Sequence, residues 1–165
     1  MKSTSQPLQP PPAHPARVAL VSAAWHRDIV GRSVQAIQAE FERSRQRPDA
    51  IDTFEVPGAF EIPLHAQRLA RSGRYDAIIA CALVVNGGIY RHEFVAGAVI
   101  DGLMRVQLDT GIPVLSAVLT PRDFHGHEEH VSFFSDHFVK KGTEVARACL
   151  DTLAALRALP LAASR

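Results

Sequence analysis

Four short apolar runs, each followed by a segment with helical periodicity, are the feature that most restricts this chain. The first is Val18-Ala19-Leu20-Val21, which suits a strand buried on both faces. Val30, Val34, Ile37 and Phe41 then recur at helical spacing, with Arg32, Gln38, Glu42 and Arg43 off the stripe, so a helix ending before Pro48 is predicted. Ile51 to Val56 reads as a second strand. Pro57-Gly58 punctuates it, the glycine permitting a tight turn, and a helix over Phe60 to Ala70 follows, with Pro63 in its first turn and Ser72-Gly73 closing it. The third run, Ala77 to Val85, breaks at Asn86-Gly87-Gly88; the helix after it faces inward with Val95, Val99, Gly102, Leu103 and Val106 and stops near Gly111. Pro113 to Leu119 is the fourth strand. A His- and Phe-rich connection then leads to a last helix from about Thr143, with Val145, Cys149, Leu153 and Leu156 inward.

The order βαβαβαβα implies a three-layer sandwich of flavodoxin-like form: a four-stranded parallel sheet with helices on both faces. Ligands of such folds bind beyond the carboxyl ends of the strands. The loops there are Ala24 to Arg27, Pro57 to Pro63, Val85 to Arg91 and Ser116 to His130. At 165 residues, 47% of them hydrophobic, the chain suits one domain with a real core, expected over residues 17–165. Residues 1–16 carry five prolines among Ser, Gln and His and are expected to form a disordered arm. Neither a secretory apolar core nor a run of roughly 20 apolar residues occurs, so no membrane partner is expected. The 18 Lys and Arg nearly cancel 17 Asp and Glu, for a net charge of +1, and this argues against electrostatic capture of nucleic acid. Cys81 and Cys149 each lie in an apolar stretch and read as buried thiols of a reducing, cytoplasmic compartment.

Several loop residues suit chemistry. Trp25, at the end of the first strand, is either a platform for a planar ring or a core tryptophan, and His26 is equally open. Glu61 favours a helix N-terminus by its charge alone. Asn86-Gly87-Gly88-Ile89 precedes a helix whose backbone amides could cradle a phosphate. Arg91 and His92 follow; an arginine there opposes the helix dipole, which a role beside an anion would explain. His125, His127 and His130 bracket Glu128 and Glu129, donors that suit a metal, but no HExxH is present and no metal is assigned. Lys140-Lys141-Gly142 places two cations near the expected start of the last helix, again against its dipole. Phe124, Phe133, Phe134 and Phe138 are interface candidates or a cap for their own core.

Together these residues resemble the lumazine synthase family. Val56-Pro57-Gly58-Ala59-Phe60-Glu61-Ile62-Pro63-Leu64 resembles the family's strand-to-helix turn, and Ile112 to Leu115, Val118 to Thr120 and Lys141-Gly142 with Glu144-Val145-Ala146 fall in register. The family's ring-stacking Phe-Asn is here Trp25-His26. Its Gly-Ala-Thr-x-His segment is Gly87-Gly88-Ile89-Tyr90-Arg91, so Arg91 holds the usual histidine position, with His92 next to it. The aromatic of the fourth strand is Ser116. These departures resemble the type II subgroup of some bacteria.

The resemblance implies condensation of 5-amino-6-(D-ribitylamino)uracil with 3,4-dihydroxy-2-butanone 4-phosphate to 6,7-dimethyl-8-ribityllumazine, in riboflavin biosynthesis, with no cofactor. It implies that Trp25 stacks on the pyrimidine, that Ala59, Phe60 and Glu61 hold the ribityl chain, and that Leu83, Val84, Val85 and Ser116 meet the ring. It implies that Gly88, Ile89, His130 and Lys141 hold phosphate and that Arg91 takes the acid-base position. It also implies a homo-oligomer, a decamer of two pentamers, with sites shared between neighbouring subunits. A paralogue that only binds lumazine or flavin is the alternative. A flavodoxin-like electron carrier is a second rival, but this chain lacks the hydroxyl-rich phosphate loop such proteins place after strand one, since Trp25-His26-Arg27 stands there. A metal hydrolase built on the histidines is the third rival.

Overall fold

The computed structural model describes residues 16–44, 50–89, 91–122, 124 and 127–160. The residues expected to form the arm lie outside this set except Ala16, which is buried against the core. Four strands, β1 (Val18–Ala23), β2 (Ile51–Val56), β3 (Ala77–Leu83) and β4 (Val114–Leu119), form one parallel sheet in the order β2-β1-β3-β4. The helices are α1 (Arg27–Arg43), α2 (Ile62–Arg71), α3 (His92–Thr110) and α4 (Glu128–Arg157), and a 3-10 turn, Ala59–Glu61, leads into α2. This is the expected α/β sandwich.

Strands β1 and β3 are central and buried along their whole length, which is why their sequences, Ser22 apart, are apolar throughout rather than alternating. One face of the sheet packs on α2 and α3 through Ile62, Ala66, Val99, Leu103 and Val106. The other packs on α1 and α4 through Ile29, Ile37, Phe41, Phe138, Val145 and Cys149. Both cysteines are free, buried thiols. Among the described residues, no helix is long and apolar enough to cross a membrane.

The last helix corrects the sequence reading. It begins at Glu128, not near Thr143, because Val131, Phe134 and Phe138 continue the inward stripe of Val145, Cys149 and Leu153 toward the N-terminus. Gly142, expected near the start of the helix, lies well inside it, where a Cβ would sit 2.5 Å from the Ser33 carbonyl oxygen of α1. Glycine is there for close helix approach. Lys140 and Lys141 are therefore mid-helix, remote from the N-terminal dipole, and both face Glu144. Of the four phenylalanines, Phe138 is fully buried, Phe124 and Phe134 pack partly against the core, and only Phe133 is exposed. Beside the Gly142 contact, the buried Glu40 carboxylate of α1 receives Arg147 of α4 at 2.9 Å and pairs with Arg43 of its own helix. These arginines, Arg147 foremost, hold its carboxyl below the usual glutamate range.

Candidate active site

The carboxyl ends of β1, β2 and β3 open into a cavity of about 510 Å³. Trp25, Ala59, Phe60, Glu61, Leu83, Val84, Val85 and Arg91 all line it, so eight of the residues singled out in the sequence converge on one place. Each owes its position to a local rule. The β1 ladder extends one step as the Ala24 N–H donates to the Val56 carbonyl at 2.8 Å, which fixes the exit direction of the strand just before Trp25. Trp25 lines the cavity and is 70% exposed, although one edge of its ring lies close above Gly58.

Gly58 itself is extended, with φ −145°, so a tight turn is not what it supplies. A Cβ there would come within 3.1 Å of the Glu61 carboxylate and 3.6 Å of the Trp25 ring; glycine provides the space under the tryptophan. The Glu61 carboxylate accepts the Gly58 N–H at 2.9 Å, closing the 3-10 turn. Ala59 is buried and Phe60 is exposed at the rim. The apolar wall comes from the β3 end, where Leu83 and Val84 are buried, and from Val95 on α3, which the sequence pattern assigned to the core but which is partly exposed here.

The charged wall is the segment before α3. Arg91 occupies the N-cap position, exposed, with its guanidinium 5.6 Å from the Phe94 ring. His92 opens the helix, its side chain only 10% exposed and Nδ1 3.4 Å from a Glu93 carboxylate oxygen. Both line the cavity. In the preceding loop Gly88 has φ +78°, which glycine accepts freely, and its N–H donates to the Asn86 side-chain oxygen at 2.9 Å. The Gly88–Ile89 pair thus lies a few residues ahead of the helix start rather than on it. Tyr90 lies outside the described residues.

Ser116 and Lys141 are brought together elsewhere. They share a second concavity of about 310 Å³ between β4 and α4 with Glu144, whose carboxylate receives the Lys141 ammonium at 2.7 Å. That ion pair, with Lys140 and His137 adding to it, holds the Glu144 carboxyl below its ordinary range. His130 lines neither concavity; it lies in the first turn of α4 with its ring 6.0 Å from Phe134. His125 lies outside the described residues. His26, left open by the sequence, is a cavity residue, as are Pro57, Gly58, Gly87 and His92.

A parallel α/β sandwich with an apolar cavity beyond the strand ends, an indole at its mouth and an arginine and imidazole on one wall, defines a small-molecule site of the doubly wound class. The chain belongs to the 6,7-dimethyl-8-ribityllumazine synthase family, whose model matches residues 15–157. It is 61% identical over 144 residues to the 6,7-dimethyl-8-ribityllumazine synthase of Rhodococcus erythropolis, covering 87% of this chain and 93% of that protein. It is 57% identical over 147 residues to the 6,7-dimethyl-8-ribityllumazine synthase 2 of Bradyrhizobium diazoefficiens, covering 89% and 88%. The protein of the same name from Pseudomonas syringae pv. tomato is 55% identical over 148 residues, covering 89% and 87%.

Proposed function

We propose that this chain condenses 5-amino-6-(D-ribitylamino)uracil with 3,4-dihydroxy-2-butanone 4-phosphate, releasing phosphate and water and forming 6,7-dimethyl-8-ribityllumazine for riboflavin biosynthesis. The observation that carries this is the convergence of Trp25, residues 59–61 and residues 83–85 on one cavity in a chain of this family. The aryl amine attacks the ketone, an imine forms, phosphate leaves and the ring closes. Holding two reactants face to face supplies most of such an acceleration, which explains a site poor in nucleophiles. No cofactor is assigned.

In this reading the pyrimidine stacks on Trp25, the ribityl chain lies along Ala59, Phe60 and Glu61, and Leu83, Val84 and Val85 meet the ring edge. Because the Glu61 carboxylate already holds the Gly58 amide, it shapes the turn while the backbone meets the ribityl hydroxyls. The phosphate is received at Gly88 and Ile89. The Gly88 amide already points at an oxygen acceptor, the Asn86 side chain, and a phosphate oxygen takes that acceptor's place. Arg91 holds the acid-base position of the family. A guanidinium does not release its proton near neutrality, so Arg91 acts by pinning the phosphate or an enolate, and the adjacent His92 carries protons.

Ser116 and Lys141, with His130 nearer the start of α4, are proposed to act on the cavity of a neighbouring subunit. What supports this is that Ser116 and Lys141 line a concavity of their own, separate from the one that holds Trp25. The chain then works as a homo-oligomer, a decamer of two pentamers, in the cytoplasm, where buried free thiols remain reduced.

The test is lumazine formation from both substrates, followed by absorbance, with the uncatalysed rate subtracted. Product above that rate is expected. His92→Ala is expected to lower kcat by about a hundredfold, whereas Arg91→Ala raises KM for the phosphate substrate. Purified, assembled protein that gives no product above the uncatalysed rate would overturn the assignment.

A further inference from the structure

The cavity has one conformational oddity, and it adjoins the stacking platform. Among the described residues His26 is the only non-glycine with a positive φ, at φ 56° and ψ 41°. Histidine is one of the few side-chain-bearing residues that take this left-handed conformation readily. The conformation turns the chain sharply out of β1, and the His26 carbonyl then accepts the Ile29 and Val30 amides to begin α1.

The chain on both sides of Trp25 is fixed, while its ring is largely exposed. Ala24 before it is tied to Val56, Gly58 lies beneath it, and Arg27 beyond it donates through Nε to a Glu55 carboxylate oxygen at 2.8 Å. The direction of the indole therefore rests on the backbone of His26 and on whatever holds that residue's ring. The ring is seated edge-on against Phe124, centroids 5.5 Å apart and planes at 68°. Phe124 in turn packs on Phe134 at 5.4 Å, and Phe134 on His130 at 6.0 Å. A row of four rings thus runs from the wall of the cavity to the first turn of α4.

Resting on the platform reading of Trp25 given above, we infer that His26 is a positioning residue: its left-handed backbone and its edge-on contact with Phe124 set the direction of the Trp25 indole and thereby the affinity for the planar substrate. His26 donates no proton to the reaction and touches no phosphate in this role. It acts through Trp25.

Trp25 is the sole tryptophan, so the emission of the whole assembled protein reads this one ring. His26→Asn keeps a residue suited to the left-handed backbone and deletes the ring; Phe124→Leu deletes the other half of the contact. An edge-to-face aromatic pair corresponds to about a three- to tenfold change in affinity. The expected result is that each variant raises KM for the ribitylamino pyrimidine by about that factor, with smaller changes in kcat and in KM for the butanone phosphate. The emission maximum shifts in each, and the double variant is no worse than either single one. Unchanged emission and KM in His26→Asn would overturn the inference, as would an equal rise in KM for both substrates or strict additivity in the double variant. If pyrimidine fails to quench the wild-type emission, the platform itself is refuted and the inference falls with it. Wild-type quenching with unaffected variants refutes the inference alone.

Discussion

Gly142 offers the sharpest quantitative test of how α4 is seated. Replacing it with alanine places a Cβ 2.5 Å from the Ser33 carbonyl oxygen and 2.9 Å from both the Ser33 Cα and the Ala36 Cβ. None of these atoms can rotate aside, because two are backbone and the third is a Cβ. Restoring ordinary contact of roughly 3.5 Å requires α1 and α4 to part by about 1 Å. Overpacking of this kind costs about 1–3 kcal/mol, and the immobile neighbours put this site at the upper end. Removing a glycine from a helix interior contributes about 1 kcal/mol in the opposite direction. The net expectation is a loss of about 2 kcal/mol, or a melting point lower by roughly 4–8 °C for a chain of this size. Gly31→Ala is the control: Gly31 lies in α1 with nothing within 4 Å of its would-be Cβ, so only the propensity gain applies and the melt should rise by roughly 2–4 °C. Both are read by thermal denaturation at matched protein concentration, since assembly couples melting to concentration. A Gly142→Ala protein that melts at or above wild type would refute the close-approach argument. On the proposed phosphate-binding role of Lys141, which adjoins Gly142, the same variant should also weaken phosphate-substrate binding.

Three further outcomes are expected. Glu40 is held below its ordinary pKa by Arg147, so its contribution is present above the usual glutamate range and is lost as pH falls through the lowered folded value; urea midpoints between about pH 5 and pH 3 should fall more steeply in wild type than in Glu40→Gln, and equal slopes would refute the pairing. Burial pushes the thiols of Cys81 and Cys149 up to about 12, so a thiol reagent at pH 8 should leave the native protein unlabelled and react with both after denaturation; prompt labelling of the native state would contradict the burial. Gly88→Ala strains a residue at φ +78° by about 1–2 kcal/mol, so KM for the butanone phosphate should rise about tenfold with the pyrimidine KM nearly constant; steady-state kinetics that move both constants together would remove the phosphate from this loop.

Much of this arrangement was legible in the chain because it follows from period and punctuation. The continuous runs at Val18 and Ala77 could only be strands covered on both faces, and the topology they impose places Trp25, Phe60 and Val85 at one edge. What escaped sequence reading depends on neighbours distant along the chain. Gly142 resembles a helix breaker until Ser33 of another helix is placed against it. Gly58 resembles a turn residue until the Trp25 ring is seen above it. The aromatics and histidines around Phe133 and Phe138 obscured a helical stripe because buried Phe138 and exposed Phe133 stand in the same run. The left-handed backbone at His26 leaves no mark in composition or periodicity at all. Equally, no pattern along one chain separates Ser116 and Lys141 from the Trp25 cavity; only the fold does so.

The partition of recognition groups between two concavities has a genetic corollary. On the proposed shared-site arrangement, a protein lacking Trp25 and one lacking Lys141 are each inactive alone, yet they fail on opposite sides of the same junction. Co-assembled in one ring, they recreate an intact junction wherever an unmodified face of one meets an unmodified face of the other, roughly one junction in four for an equal random mixture. Two silent alleles would then restore growth without riboflavin when expressed together, a dominance pattern that a self-contained pocket cannot produce.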